Sequence, residues 1–344
     1  MNTVVLTGGG TAGHIMPSVA LMPELEKYFD KIVFMGGNGM EKDIAAAYKL
    51  DFRSTEAVPF RRDGVLKNLA VPFKLCKGVN QAVRILKELT PSVVFSKGGY
   101  ASLPAVIAAK RLGIPVVCHE SDFTLGLANK IAVKLGATCL VSFRQTAMQD
   151  RRYLYTGLPV RESIFNGNAR KAQNELGFTK TGPVLLVVGG SSGSRALNEC
   201  VAEALPLLTR EYTVVHVLGN KNSTGVVRDR YYTVSYTDHI EDYYALADVV
   251  VSRAGAGALS ELSALRKCVV FIPLPADVSR GDQCLNADYA VKLGAVSLDQ
   301  KDLTPQRLWD AVTLARKTPM TPASPVANAL IVRHIVRKAR VLKQ

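Results

Sequence analysis

Short apolar runs alternate along the chain with longer segments of helical periodicity. In the first half, the runs TVVLTG, KIVFMG, SVVFSKGG, IPVVCHES and TCLVSF are typical of buried strands. Helical patterns lie between them, the first from about Pro17 to Tyr28 and the second over roughly Met40 to Tyr48. Strands that alternate with helices in this way indicate a parallel sheet with helices on both faces.

The pattern lapses after Phe143 in a polar, turn-rich stretch and restarts at the strand GPVLLVVGG. Five later runs repeat the arrangement: YTVVHVLG, YTVSY, ADVVVSR, KCVVFIP and AVSLD. The sequence therefore predicts two Rossmann-like, doubly wound α/β domains that face each other across a cleft, at residues 1–157 and 158–325. The last helix, at about 326–344, is expected to pack back on the first domain.

The chain has 344 residues, of which 48 % are hydrophobic, and this is enough for two domains of ordinary size. It contains no apolar run of about 18 residues, and its first residues lead directly into a strand. We therefore expect neither export nor a membrane span. The six cysteines are scattered without a C-x-x-C pair, so they are expected to be reduced core residues of a cytoplasmic protein.

The formal net charge of +14 indicates an anionic partner, which could be nucleic acid, an anionic membrane or a phosphorylated substrate. Basic residues concentrate between Phe60 and Leu89, where they alternate with apolar side chains. Such a segment either lies on the anionic inner leaflet of a membrane or forms an amphipathic packing helix. The membrane interpretation assigns the contact to Arg61, Arg62, Leu66, Lys67, Leu69, Phe73, Lys74, Leu75 and Lys77.

A glycine-rich loop, Gly8 to His14, follows the first strand and precedes a helix. Glycines let the backbone approach a ligand closely, and a helix N-terminus favours a phosphate. The G-x-G-x-x-G spacing within the loop also fits a dinucleotide fingerprint. An NAD enzyme, however, needs an acidic residue at the end of the second strand, where this chain has apolar residues at 33–35.

Two further glycine-rich turns follow predicted strands. The loop GGSSGS at 189–194 repeats the strand, turn and helix context of the first loop with hydroxyl groups added. The turn SKGGY at 96–100 places a lysine where it could face an anion. Neither carries the Gly-Lys-Ser/Thr of a Walker loop. Loops of this kind in two similar halves predict a ligand held between them.

Metal-binding patterns are missing from the sequence. There is no Asp-x-Asp pair of the type that holds a metal-bound nucleotide diphosphate, and no His, Cys or carboxylate cluster at metal-ligand spacing. Backbone amides, hydroxyl groups and arginine would therefore have to stabilise a departing diphosphate. We expect no metal site and no required cofactor.

Taken together, a series of motifs resembles the MurG family, the bacterial UDP-N-acetylglucosamine transferases that convert lipid I to lipid II in peptidoglycan synthesis. The motifs are GGGTAGH at 8–14, SKGGYAS at 96–102, PVVCHES and GLANK within 115–130, TGLPVR at 156–161, VVGGSSGSRALN at 187–198, SRAGAGALSE at 252–261 and DQCLNA at 282–287. The resemblance implies a glycosyltransferase-B fold, an inverting mechanism and a UDP-GlcNAc donor bound mostly by the second domain.

The resemblance also assigns residues to the donor. It implies that Ser191 and Arg161 contact the diphosphate. The backbone of Ile240 would contact the uracil, and Glu261 would hold the ribose hydroxyls. Amides at a helix start and contacts to the sugar complete the implied donor set: Thr11, Ala12, Gly13, Asp122, Ala256, Gly257, Ala258, Leu259, Ser260 and Gln283.

His14 is the candidate general base, because a neutral imidazole can accept the proton of the acceptor's C4 hydroxyl. His14 could instead donate a hydrogen bond to the acceptor diphosphate or cap the loop, and the strand-end carboxylate of Glu120 is a rival base. Asp122, His239 and Ala12 depart from the Asn, aromatic residue and Gly usual in the family. The residues expected to bind the acceptor are Gly9, Gly10, Lys97, Gly98, Gly99 and Tyr100.

The expected reaction transfers GlcNAc from UDP-GlcNAc to the C4 hydroxyl of the muramoyl pentapeptide in lipid I, giving lipid II for cell-wall synthesis, cell shape and division. The expected partners are UDP-GlcNAc, lipid I and the cytoplasmic face of the plasma membrane, where the enzyme would be peripheral; nucleic acid is not expected. Two alternatives are a UDP-GlcNAc 2-epimerase of the same fold and a non-catalytic nucleic-acid or membrane adaptor.

Overall fold

The structure, a computed structural model, describes residues 2–10, 12–59, 71–179, 181–219, 229–277, 281–324 and 326–340. The strands are β1 (Thr3–Thr7), β2 (Lys31–Gly36), β3 (Asp51–Ser54), β4 (Val93–Ser96), β5 (Val116–Glu120), β6 (Thr138–Val141), β7 (Tyr153–Tyr155), β8 (Val184–Val188), β9 (Thr213–Val217), β10 (Tyr231–Val234), β11 (Val249–Ser252), β12 (Cys268–Phe271) and β13 (Val296–Ser297).

The helices are α1 (Met16–Val19), α2 (Met22–Leu25), α3 (Met40–Ala47), α4 (Val71–Leu89), α5 (Leu103–Arg111), α6 (Leu127–Lys134), α7 (Arg144–Ala147), α8 (Ala169–Leu176), α9 (Arg195–Leu208), α10 (Ile240–Leu246), α11 (Ala256–Ala264), α12 (Asp282–Lys292), α13 (Pro305–Ala315) and α14 (Ala327–Arg340). Short 3₁₀ helices occur at Ala12–His14, Tyr100–Ser102, Glu162–Asn166 and Gln300–Asp302. Over the described ranges, no helix is both long and apolar enough to cross a membrane.

The chain divides into two compact units, one formed by Met1–Arg161 with Val326–Gln344 and the other by Glu162–Pro325. The first unit holds a seven-stranded parallel sheet in the order β3-β2-β1-β4-β5-β6-β7. The second holds a six-stranded parallel sheet in the order β10-β9-β8-β11-β12-β13. Both orders reverse direction next to the first strand of the unit, so the predicted pair of doubly wound Rossmann-like domains is confirmed.

Both faces of the first sheet are covered, as a parallel sheet requires. Alternate residues of β1 point to opposite faces, so Val4 and Leu6 belong to one core cluster and Val5 to the other. The first cluster includes Ile331 and Ile335 of α14. The C-terminal helix is therefore part of the core of the first unit, although it follows the second unit in the sequence.

Some local features differ from the sequence expectation. The helix predicted from Pro17 to Tyr28 is two short helices, α1 and α2, each with a proline in its first turn. Pro23 has no backbone N–H to continue the first helix, and the second helix begins at Met22, with Pro23 in its first turn. All six cysteines are free thiols, but Cys76 is exposed on α4 and is not a core residue.

Removal of the side chain of Ile335 should destabilise the first unit. Ile335 is fully buried, so Ile335→Ala leaves a cavity and is expected to lower the free energy of unfolding by about 2–5 kcal/mol. Urea unfolding measures this change, with the exposed Arg333 of the same helix as the control through Arg333→Ala. Equal stability of the two variants would contradict the packing described for α14.

Candidate functional site

In the first unit, the loops that follow β1 and β4 pack directly against each other at the reversal in strand order. Gly9 N donates to Gly98 O at 3.3 Å. Gly99 has a φ of +77°, and a Cβ added there would lie 2.0 Å from Gly9 O. Gly10 has a φ of +90°, and its Cβ would lie 2.6 Å from the ring of Tyr100. Only glycine fits these positions, so the two predicted loops form one surface.

Glu41, which the sequence analysis did not single out, completes this glycine surface. It lies in the first turn of α3, is 2 % exposed, and its Oε1 accepts a hydrogen bond from Gly10 N at 2.5 Å. A Cβ on Gly9 would lie 1.9 Å from the same oxygen. The Gly10 amide, a donor that a phosphate would need, is therefore already bonded to a carboxylate. The sequence feature that could have pointed to Glu41 is its place in the first turn of a predicted helix, where a carboxylate is stabilised.

Lys97 is buried within the first unit, although the sequence placed it facing an anion. The side chain is 2 % exposed, and Nζ donates to Ser121 Oγ at 2.6 Å and to His119 O at 3.4 Å. Burial lowers the pKa of Lys97 to about 8, against the opposing attraction of Glu120 and Asp122. The ammonium group therefore joins the loop after β4 to the end of β5.

Glu120, the rival base, holds a turn together. It is 5 % exposed, and its carboxylate accepts hydrogen bonds from Asp122 N at 3.1 Å, Gly126 N at 2.9 Å and Asn129 Nδ2 at 3.0 Å. These three donors connect the end of β5 to the start of α6. Asn129, a residue of the GLANK motif to which no role was assigned, also donates to His119 O at 3.1 Å.

Two histidines lie in the first unit's site region. His14 ends the 3₁₀ helix Ala12–His14 and is half-buried. His119 is fully buried, and its Nε2 lies 2.9 Å from Gly157 O, so Nε2 carries the proton. Burial, with Lys97 close by, holds the pKa of His119 well below its usual range. Of the two, His14 is the one whose imidazole can be reached from solvent.

In the second unit, the glycine loop after β8 and the segment after β11 start neighbouring helices. Val188 at the end of β8 pairs with Ser252 at the end of β11. Ser194 caps α9 by accepting from Leu197 N at 3.4 Å, and Gly255 precedes α11. Two helix N-termini thus lie at the reversal in strand order, an arrangement suited to an anion.

A buried polar network supports the start of α9. His216 Nε2 lies 3.1 Å from Asn198 Oδ1, and His216 Nδ1 lies 3.1 Å from the hydroxyl of Tyr231. Asn198 Nδ2 donates to Leu218 O at 3.1 Å, so Asn198 Oδ1 faces His216 as an acceptor. Burial lowers the pKa of His216 to about 4, which keeps the ring neutral at physiological pH.

The donor residues implied by the family resemblance lie in both units. Ser191 is exposed in the glycine loop, and Ile240 begins α10. Residues 256–261 form the first turns of α11, where Glu261 is half-buried. Gln283 Oε1 accepts from Leu274 N at 3.0 Å. The members that belong to the first unit are Ala12, Gly13, Asp122 and Arg161, and Thr11 lies outside the described residues.

The predicted membrane segment is described only in part, because Arg61, Arg62, Leu66, Lys67 and Leu69 lie outside the described residues. On α4, Phe73 is 77 % exposed and Lys74 is exposed. Leu75 instead packs against the core, and Lys77 pairs with Glu56 at 2.7 Å. Of the predicted contacts on this helix, Phe73 and Lys74 are therefore exposed and without a described ion pair, and Lys77 keeps 59 % of its side chain exposed beside Glu56.

Comparison with known proteins identifies relatives over about nine-tenths of the chain. Models of the glycosyltransferase family 28 N-terminal and C-terminal domains match residues 4–140 and 184–341. The UDP-N-acetylglucosamine-N-acetylmuramyl-(pentapeptide) pyrophosphoryl-undecaprenol N-acetylglucosamine transferase of Clostridium perfringens is 40 % identical over 316 residues, which are 90 % of this chain and 88 % of the relative.

Two solved structures have a similar fold. MurG of Acinetobacter baumannii matches with a TM-score of 0.73 and 24 % identity, covering 98 % of this chain and 100 % of that one. A UDP-GlcNAc 2-epimerase from Neisseria meningitidis matches with a TM-score of 0.66 and 12 % identity over 98 % and 100 % of the two chains. At these identities the likeness shows the fold alone.

Neutralising Lys97 should change how stability depends on pH. Its pKa is about 8 in the folded protein and 10.5 ordinarily, so the unfolded chain binds this proton more tightly. Wild-type stability should therefore rise between about pH 8 and pH 10 relative to Lys97→Met, by roughly 2–3 kcal/mol. Urea unfolding across this range measures the difference, with the exposed Lys74→Met as control. Parallel curves for wild type and Lys97→Met would contradict the burial of a charged lysine.

Proposed function

The chain belongs to glycosyltransferase family 28, and from this premise we propose that it transfers N-acetylglucosamine from UDP-N-acetylglucosamine to the C4 hydroxyl of the muramoyl pentapeptide in lipid I, giving lipid II. The observation that carries the proposal is the 40 % identity, over nine-tenths of the chain, to a transferase whose name states this donor and acceptor. The protein is an N-acetylglucosaminyltransferase that acts in peptidoglycan synthesis.

The donor is assigned to the second unit because its geometry suits a nucleotide diphosphate. The amides at the starts of α9 and α11 stabilise negative charge, and the exposed hydroxyl of Ser191 adds a donor. Glu261, one turn into α11, can accept hydrogen bonds from both ribose hydroxyls. Arg161, which belongs to the first unit, is the residue to which the family resemblance assigns a permanent charge for the leaving diphosphate.

In the proposed reaction, the acceptor's C4 oxygen attacks the anomeric carbon of the sugar as the bond from that carbon to the UDP oxygen breaks, which inverts the configuration. His14 accepts the proton from the attacking hydroxyl. Glu120 serves as a positioning residue, since three donors already bind its carboxylate. Amides, hydroxyl groups and Arg161 stabilise the departing UDP, so the proposal requires no metal ion.

The acceptor carries a polyprenyl chain, so the proposed enzyme works at the cytoplasmic face of the plasma membrane as a peripheral protein. Phe73 and Lys74 combine an exposed aromatic ring with a cation, which is the chemistry of an anionic membrane surface. The net charge of +14 favours the same partner.

Acceptor-dependent release of UDP tests the proposed function. The purified chain is incubated with UDP-GlcNAc and a soluble lipid I analogue in excess EDTA, and UDP is quantified. Release that requires the analogue and survives EDTA is the expected result. UDP-ManNAc formed from the donor alone would favour an epimerase instead, and salt-sensitive DNA binding without affinity for UDP-GlcNAc would favour an adaptor.

The identity of the base is tested by pH profiles. His14→Ala should lower kcat about 10²–10⁴-fold and remove the acidic limb of the kcat profile, because no group then accepts the hydroxyl proton. Glu120→Gln should lower the melting temperature by disturbing the turn, while the acidic limb remains. His334→Ala, at a histidine of α14 to which no site role is assigned, is the control. An unchanged profile in His14→Ala would exclude His14 as the base.

A further inference from the structure

Arg253, the residue that follows β11, is bound entirely by uncharged groups. It is 8 % exposed. Nη1 donates to the carbonyl oxygens of Ile272 at 3.1 Å and Pro273 at 3.2 Å. Nη2 donates to Gln300 Oε1 at 2.6 Å and to Ser194 Oγ. Both Nη groups therefore use their hydrogens on neutral acceptors, and the charge of the guanidinium is solvated by dipoles alone.

In the part of the chain that the structure describes, no carboxylate pairs with Arg253. Nε has no hydrogen-bond partner among the residues that the structure describes, and burial alone shifts the pKa of Arg253, downward, with no acidic neighbour opposing it. The residues of the second unit outside the described part, Lys180, 220–228, 278–280 and Pro325, include no Asp or Glu. Because arginine stays protonated in proteins, the second unit holds a buried, uncompensated cation.

Arg253 lies beside the starts of two helices, where an anion would be stabilised. Through Ser194, the N-cap of α9, Arg253 contacts the end of the glycine loop after β8. Its own backbone begins the segment that leads through Gly255 into α11. Arg253 therefore joins the two segments that start α9 and α11, at the paired ends of β8 and β11. An unbalanced buried charge is costly, and an anion bound at these helix starts would offset that cost.

We propose that Arg253 is a positioning residue whose buried charge is balanced by the diphosphate of the nucleotide donor. Its hydrogen bond to Ser194 positions the glycine loop, and the positive charge of its guanidinium attracts the bound anion. Arg253 thereby selects a nucleoside diphosphate over an uncharged nucleoside. The inference rests on the proposed function, because it takes the ligand of the second unit to be a UDP-sugar.

Neutral variants of Arg253 test the proposal in the full chain. Affinities for UDP and for uridine are measured by calorimetry in wild type, Arg253→Met and Arg253→Lys. Arg253→Met should bind UDP roughly ten- to a hundred-fold more weakly, and uridine within about two-fold of wild type, since only UDP carries the charge that Arg253 balances. Arg253→Lys, which keeps the charge, should retain most of the preference for UDP.

The control is Arg307→Met, which removes an exposed arginine that pairs with Asp302 at 3.0 Å in the same unit. It should leave both affinities unchanged. Melting temperatures with and without UDP provide a second readout, because UDP should stabilise Arg253→Met less than it stabilises wild type. If Arg253→Met does not fold, Arg253→Gln keeps a donor for the carbonyl oxygens and provides the same comparison.

Three results would overturn the proposal: an unchanged ratio of UDP to uridine affinity in the neutral variants, an equal loss of both affinities, or failure of both neutral variants to fold, which would assign Arg253 to folding. These outcomes differ from a failure of the proposed function, in which wild type itself would bind neither UDP nor UDP-GlcNAc.

Discussion

Each unit depends on the reversal of strand order in its parallel sheet. At that point, helices from neighbouring strands leave toward opposite faces, and the loops that start them meet at the carboxyl edge. The backbones come so close that a Cβ on Gly99 would lie 2.0 Å from Gly9 O. The glycines are therefore first a requirement of packing, and in the second unit the same edge carries the starts of α9 and α11, which suit an anion.

The charged residues beside the two glycine loops differ in sign. In the first unit, the Gly10 amide is bonded to Glu41, and Glu120 takes three further donors at the end of β5. In the second unit, Arg253 lies beside Ser194 at the corresponding edge, and both of its Nη groups are bonded to uncharged acceptors. An anionic nucleotide should therefore prefer the second unit, whereas the first unit offers His14 to a reacting hydroxyl.

Much of the fold followed from the sequence because central parallel strands are buried on both faces and appear as continuous apolar runs. The edge strands β3 and β7 were not predicted, since both are short and partly exposed. β3 also carries polar residues, and β7 has only three residues, Tyr153–Tyr155. The roles of Lys97 and Glu41 could not be predicted for another reason. Their partners, such as Ser121 for Lys97 and Gly10 for Glu41, are distant in sequence, and only the folded sheet brings them together.

The most direct test of the contrast between the units is hydrogen exchange of the full chain with and without UDP. UDP lacks the transferred N-acetylglucosamine, so it reports on the nucleotide site alone. The account predicts slower exchange at residues 189–197 and 255–261, and unchanged exchange at residues 8–10 and 97–100. Protection of the first loop by UDP, with none in the second unit, would contradict it.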